Sequence, residues 1–312
     1  MRIPVIPVVS FLMFAGILSM TGTTVWGQSC DDRDAATGGL GWSFYRRGWD
    51  ESRCRGKVGS LFAWRSGNGE GLPQLDEPLV TDRPDFTEAS SVVGLGVLQT
   101  ELGYTYTEGS PDDGGRDQTY PELLLRYGFL FDWMELRVAY SAGSARVNGS
   151  TLAGSDDLYL GLKLGLTEQL EWLPETAIIP QMTVPSGGGD RTEGRVLAGV
   201  NYLYSWSLSE DISTGGSTQF NRSVDGETNN LYTEWAQSWT VAYSLTDRVG
   251  AFTEYFGFYP DDADAESPQH FVNGGFTYLL HDNLQLDIRA GKGLSSASED
   301  YFIGTGLVLR RL

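Results

Sequence analysis

The residues best able to do chemistry in this chain are charged and amide side chains set at alternate positions along apolar stretches. They are Glu101, Glu122, Arg126, Glu135, Arg137, Lys163, Gln181, Arg195, Asn201, Glu234, Asp287 and Arg289. Alternation matters because successive side chains of a strand point to opposite faces, so these groups would share one polar face of a sheet. Acids and bases mixed on an enclosed face have two uses. They can line a water-filled path and set which solutes pass, or they can pair with one another and fill the space. Glu254 belongs with them by spacing, although Phe252, Phe256 and Phe258 on the same face leave that strand ambiguous.

Other chemistry is thinly provided for. The two histidines, His270 and His281, fall at the start of one strand-like segment and in the turn after it, too far apart for a shared metal or a Ser–His pair. Asp261-Asp262-Ala263-Asp264-Ala265-Glu266 lacks the spaced ligands and central glycine of a calcium loop and reads as a solvated acidic tip. Gly187-Gly188-Gly189 has neither the following helix nor the lysine of a phosphate cradle. The expectation is a protein without catalytic residues, metal or cofactor, with an outer-membrane lipase or protease as the enzymatic alternative.

The elements that must carry the polar face are strands. Leu158, Leu160, Leu162, Leu164 and Leu166 alternate with Tyr159, Gly161, Lys163 and Gly165, an apolar ladder backed by glycine and charge. Similar patterns predict about twelve strands, near 94–107, 119–127, 132–142, 155–167, 175–184, 194–206, 210–221, 230–243, 248–259, 269–280, 283–292 and 301–311. Their connections sort into two kinds. Short ones read alike, as in Leu166-Thr167-Glu168, Leu208-Ser209-Glu210 and Leu245-Thr246-Asp247; long, polar, acidic ones cover 108–118, 143–155, 186–193, 222–229, 260–268 and 294–300. Short turns at one end and long loops at the other are the mark of a sheet closed and threaded through a membrane. Aromatic residues gather near both strand ends: Tyr104, Tyr106, Tyr120, Tyr140, Tyr232, Phe258 and Tyr259 on the long-loop side, and Trp133, Trp172, Trp206, Tyr243 and Tyr278 on the other. Such girdles settle at headgroup depth. The fold class implied is all-β, a transmembrane antiparallel up-and-down β-barrel with an irregular N-terminal extension; a secreted β-sandwich is the soluble alternative.

Composition agrees. Glycine makes up 40 of 312 residues and aromatics 12%, while hydrophobic content is only 40%, as expected when half of each strand faces lipid and half a polar interior. A net charge of -19 excludes nucleic acid as a partner. At the N-terminus, Arg2, the apolar run Ile3 to Met20 and the small-residue exit to Gly27 have the order of a secretory signal. The division expected is 1–27 signal, 28–90 irregular periplasmic extension or plug, and 91–312 barrel. Export would permit a disulfide between Cys30 and Cys54, which could equally remain free thiols. Partners expected are outer-membrane lipids, the barrel assembly machinery and small-molecule solutes; the sequence leaves the oligomeric state open.

Just before the first strand the chain reads Val80-Thr81-Asp82-Arg83-Pro84-Asp85-Phe86-Thr87-Glu88. This motif, the strand pattern after it and the strand-forming C-terminus resemble the outer-membrane transporters grouped under the meta-pathway of phenol degradation. The likeness covers residues about 78–312, and its most specific part is Thr81, Asp82, Arg83, Pro84 and Asp85 with Thr87 and Glu88. The resemblance implies a bacterial outer-membrane channel of moderate size for small molecules, organic ones included. Such proteins usually end on an aromatic residue read by the assembly machinery; Leu312 occupies that place here. A sealed barrel acting through its acidic loops is the alternative function. The motif itself has two placements. It could fold into the lumen as a constriction, or cap the periplasmic mouth with Arg83 on a turn carboxylate. The Asp-Arg-Pro order suits a fixed turn and favours the mouth.

Overall fold

The computed structural model describes residues 79–109, 115–147, 150–189, 191–226, 228–263 and 266–311. The expected signal segment 1–27, the extension up to residue 78 and both cysteines fall outside them. The described chain forms β1 (Leu98–Glu108), β2 (Arg116–Gly128), β3 (Met134–Val147), β4 (Ser150–Ser155), β5 (Leu158–Thr167), β6 (Glu175–Val184) and β7 (Gly188–Gly189). It continues through β8 (Leu197–Ser207), β9 (Ile212–Val224), β10 (Leu231–Ser244), β11 (Val249–Asp261), β12 (Gln269–His281), β13 (Leu284–Gly293) and β14 (Tyr301–Arg311). Successive passes pair antiparallel, β1 closes on β14, and β2 pairs with both β1 and β3. With β4–β5 and β6–β7 each forming one interrupted pass, the result is a closed barrel of 12 strands. Closure pairs the backbone polar groups without leaving an edge, the condition for a sheet to cross lipid.

The leucine ladder of β5 faces outward, while Gly161, Lys163 and Gly165 between those leucines are buried. Leu102, Leu136, Trp235, Phe276, Ile288 and Ile303 extend the exposed apolar face around the barrel. Two residues expected in the outer aromatic girdle are turned inward instead: Tyr232 is buried, and Phe258 packs on Phe86 inside. Two of the leucine–hydroxyl–acid connections form matching turns. In one, the Leu208 and Ser209 amides donate to the Ile212 carbonyl, and the Ser209 hydroxyl accepts from the Ile212 amide; Leu245, Thr246 and Val249 repeat the arrangement.

At the other end the segment 143–155, expected as a loop, is a hairpin. β3 runs to Val147 and returns as β4, with Ala142 opposite Ser155 and Val147 opposite Ser150. Its serines, glycines and alanines hide the strand from a hydrophobic pattern, because the ladder is made by backbone groups and continues beyond the apolar band.

Residues before β1 do not stay outside. The chain enters near the β12–β13 turn, where the Leu79 amide donates to the Asp282 carbonyl, and leaves beside Gly128, whose carbonyl accepts from the Gly96 amide. Between these points it forms a re-entrant loop inside the short-turn half of the barrel. Its tip reaches Ser238 and Glu254, near the middle of β10 and β11.

Candidate functional site in the barrel interior

The re-entrant loop places the motif against three sets of wall residues. Asp82 meets the first. Its Oδ2 lies 2.5 Å from Nη1 of Arg137, and its Oδ1 lies 3.3 Å from both Nη1 of Arg126 and Nζ of Lys163. Glu88 adds a second carboxylate, 2.5 Å from Nη2 of Arg137 and accepting from Nδ2 of Asn201 at 3.0 Å. Two wall acids, Glu101 and Glu135, complete this cluster on β1, β2, β3 and β5: both pair with Arg126, and Glu135 also pairs with Arg137. All five wall groups are essentially fully buried. Ionised groups are tolerated there only because each has an opposite charge and further hydrogen bonds.

Arg83 points the other way. Its Nη1 lies 2.8 Å from Glu122, and its Nη2 lies 3.4 Å from Asp287 and 3.1 Å from the Thr305 carbonyl. The sequence built this place by register. Glu122, Gly103, Gly306 and Asp287 stand side by side across β2, β1, β14 and β13. A Cβ at Gly103 would overlap Nη1 of Arg83, and one at Gly306 would overlap its Nε. The two glycines are a floor on which a flat guanidinium lies, with a carboxylate at each side.

The tip makes the third contact. Glu254 accepts from the Phe86 amide at 2.8 Å, from the Thr87 amide and hydroxyl, both at 2.7 Å, and from Nδ2 of Asn273 at 3.1 Å. The Phe86 ring stacks on Phe256 with centroids 4.6 Å apart and meets Phe258 edge-on. Phe271 and Phe302 extend this cluster. Arg289 donates to the Pro84 carbonyl and to Thr105, with its guanidinium 5.4 Å from the centre of the Phe302 ring.

These contacts revise the expected placement of the motif. Arg83 is not on a turn carboxylate at the mouth; its partners are strand residues inside the barrel. Thr81 bonds to Gln285, and the Asp82 and Arg83 amides donate to Glu101, so the motif is held inside along most of its length. The physical reason is charge: the inward face of the short-turn half carries groups that nothing on neighbouring strands fully neutralises, and the motif supplies their complements.

Of the residues singled out by alternation, Glu101, Glu122, Arg126, Glu135, Arg137, Lys163, Asn201, Asp287 and Arg289 all touch the re-entrant loop. Gln181 lies inside but bonds to Tyr159 and Asn221, and Glu234 accepts from Tyr232 toward the long-loop end. Arg195 departs from expectation. It lies in the loop before β8 and bonds to Asn229 of the next loop, because the strand starts three residues later than its pattern suggested. Pairings that the strand pattern missed include Ser90 with Glu175 and Ser205, and Thr87 with Ser238. His270 and His281 sit at opposite ends of β12, the former against the Tyr255 hydroxyl.

At the long-loop end a second inward contact forms. Arg191, in the loop after β7, pairs with Asp156 at 2.7 Å and with Asp117 at 3.0 Å, joining three loops and strands across the rim. Burial opposes its charge, but the hydrogen bond to Asp156 and the fields of both acids raise its pKa above the ordinary arginine value.

The fold and its buried, charge-matched interior define the class: a transmembrane β-barrel of the outer-membrane type. The chain belongs to the family described as "Putative MetA-pathway of phenol degradation", whose model matches residues 81–310, from the motif to the last strand. No curated protein sequence matches it. Among solved structures it is similar to the NanC porin (12% identity, covering 69% of this chain and 100% of that one, TM-score 0.43). It is also similar to the KdgM porin (10%, 67% and 98%, 0.42) and to the translocator domain of the autotransporter NalP from Neisseria meningitidis (10%, 70% and 88%, 0.46).

Proposed function

We propose that the protein is an outer-membrane channel for small molecules, organic ones included, and that the re-entrant loop is its gate. The signal-like N-terminus would be removed on export, and the short-turn end, where both ends of the barrel domain lie, would face the periplasm. Solutes enter between the acidic long loops and pass a narrow lumen of mixed charge when the loop withdraws. The observation that carries this reading is the loop's own chemistry. From Thr81 to Glu88 it is held by polar and ionic contacts, with one ring in the Phe cluster, while the buried apolar side chains Leu79, Val92 and Val93 lie nearer its two ends. Buried charges are a poor way to gain stability compared with apolar packing, but they suit a segment that must leave and find its place again. An enzymatic role has no comparable support.

The test is single-channel recording in planar bilayers, with the mature chain and with Arg83→Gln and Asp82→Asn. The wild type is expected to be mostly closed, and each variant to show discrete openings more often. Folded, inserted variants that stay silent would transfer the barrel to the alternative reading, a sealed scaffold acting through its surface loops.

A further inference from the structure

The gate fills two half-sites of opposite sign with two adjacent residues. On the Arg83 side the wall offers Glu122 and Asp287 flanking the Gly103–Gly306 floor, together with the Thr305 carbonyl. In the loop's absence that row is two carboxylates facing one wall cation, Arg289, two residues from Asp287 on β13. On the Asp82 side the wall offers Arg126, Arg137 and Lys163 against two acids, Glu101 and Glu135. There Lys163 would lose all of its acceptors, which are Asp82 and the Ala89 and Ser91 carbonyls. Arg137 would keep only Glu135, and its Nε already has no hydrogen-bond partner. An emptied lumen would therefore hold a net acidic row and a net basic cluster at neighbouring positions. Charge left without its partner in a narrow lumen is costly, so it draws whatever solute neutralises both sides.

We propose that these half-sites form one solute-binding site for small molecules carrying a carboxylate beside a guanidinium or ammonium group, and that Asp82-Arg83 is its built-in occupant. The guanidinium row is the more selective half, because the glycine floor admits a flat group between two acceptors and leaves no room for a branched one. A solute of this class competes with the loop for the same contacts, so it opens the gate by replacing it. This substrate class deepens the channel reading and rests on it for its biological role. The binding itself does not depend on conduction.

The test uses the full mature chain carrying D82N and R83Q together, which keeps the loop in the chain but removes the charges that hold it in the site. Binding is read in detergent as the rise in unfolding temperature, with four blocked dipeptides as probes: acetyl-Asp-Arg-amide, acetyl-Asp-Gln-amide, acetyl-Asn-Arg-amide and acetyl-Asn-Gln-amide. The doubly charged probe is expected to bind about tenfold more tightly than either singly charged one, and the neutral probe not at all. Wild-type protein, whose site is filled, should respond to none at the same concentrations. Glu122→Gln with Asp287→Asn, added to the double variant, should move the preference to acetyl-Asp-Gln-amide. Equal responses to all four probes, or a preference that survives loss of both acids, would overturn the proposal. A silent but ligand-binding barrel would remove the transport reading and leave the site standing.

Discussion

Arg126 and Arg137 stand directly opposite one another in the β2–β3 register, both buried, and Glu135 Oε1 lies 2.8 Å from Nε of the first and 2.9 Å from Nη1 of the second. Side by side out of water, two guanidinium groups repel. Glu135 is the wall's own answer to that repulsion, and Asp82 of the loop is the second. Because Glu135 also accepts from the Val93 amide, it joins the wall to the loop's return path. Glu135→Gln should therefore cost about 3–5 kcal/mol of stability, the usual penalty for stranding a buried charge. The check is urea unfolding in detergent followed by tryptophan fluorescence. A midpoint equal to wild type would mean that the two arginines are not held as described.

Gly103→Ala tests the floor beneath Arg83 without touching any charge. The added methyl overlaps the guanidinium and meets the Glu122 carboxylate as well. The strand cannot yield in a closed ladder, so the loop must. Overpacking of this kind costs about 1–3 kcal/mol, and here the cost falls on the closed state. Open events should become more frequent in single-channel records, as for Arg83→Gln, while the barrel's heat-dependent gel shift stays in place. An alanine variant as closed as wild type would show that Arg83 does not set the loop's position.

Much of this could be read from the residues. The leucine ladder of β5 and its buried partners Gly161 and Lys163 are visible as a period of two, because one face meets lipid and the other does not. The matching turns at Ser209 and Thr246 are visible because a hydroxyl followed by an acid does the same local work twice. The hairpin of β3 and β4 was hidden, since its small residues bury no apolar face. The destination of Asp82 and Arg83 was hidden too. Their partners, Arg137 and Asp287, lie far along the chain, and only closure of the sheet brings them to the same depth. Phe86 had no local signal at all; its stacking on Phe256 depends on where the loop tip stops.

The outer face can be tested at Leu162, which lies near the middle of β5, opposite Leu136, and points away from buried Lys163. Leu162→Arg should cost about 2–4 kcal/mol in a lipid environment, the penalty for a cation at mid-depth on a barrel's lipid face. The measurement is reversible folding into vesicles of short-chain phosphatidylcholine. A change of less than about 0.5 kcal/mol, the scale of an ordinary surface substitution, would place that leucine in water and contradict the transmembrane assignment.

Asp157 gives the long-loop rim its own pH dependence. One of its oxygens accepts from the Gly187 amide at 3.0 Å and from the Thr192 hydroxyl at 2.6 Å, and the other from the Glu193 amide at 3.1 Å. Slight burial works against ionisation, but the hydrogen bonds from Thr192, Gly187 and Glu193 outweigh it and hold the carboxyl below its ordinary value of 3.8. A depressed acid stabilises the folded loop fully above its unfolded pKa, and the contribution is lost as pH falls through the lower folded value. The loop that carries Arg191 should thus stay fixed at neutral pH and loosen only in acid, below about pH 4. Amide exchange at Gly187 and Glu193, corrected for intrinsic rates, reports this directly. Protection should be constant from pH 7 to 5 and fall below pH 4, and Asp157→Ala should show the low protection throughout. If the alanine variant kept wild-type protection at neutral pH, the rim would be held by Arg191 with Asp117 and Asp156 alone.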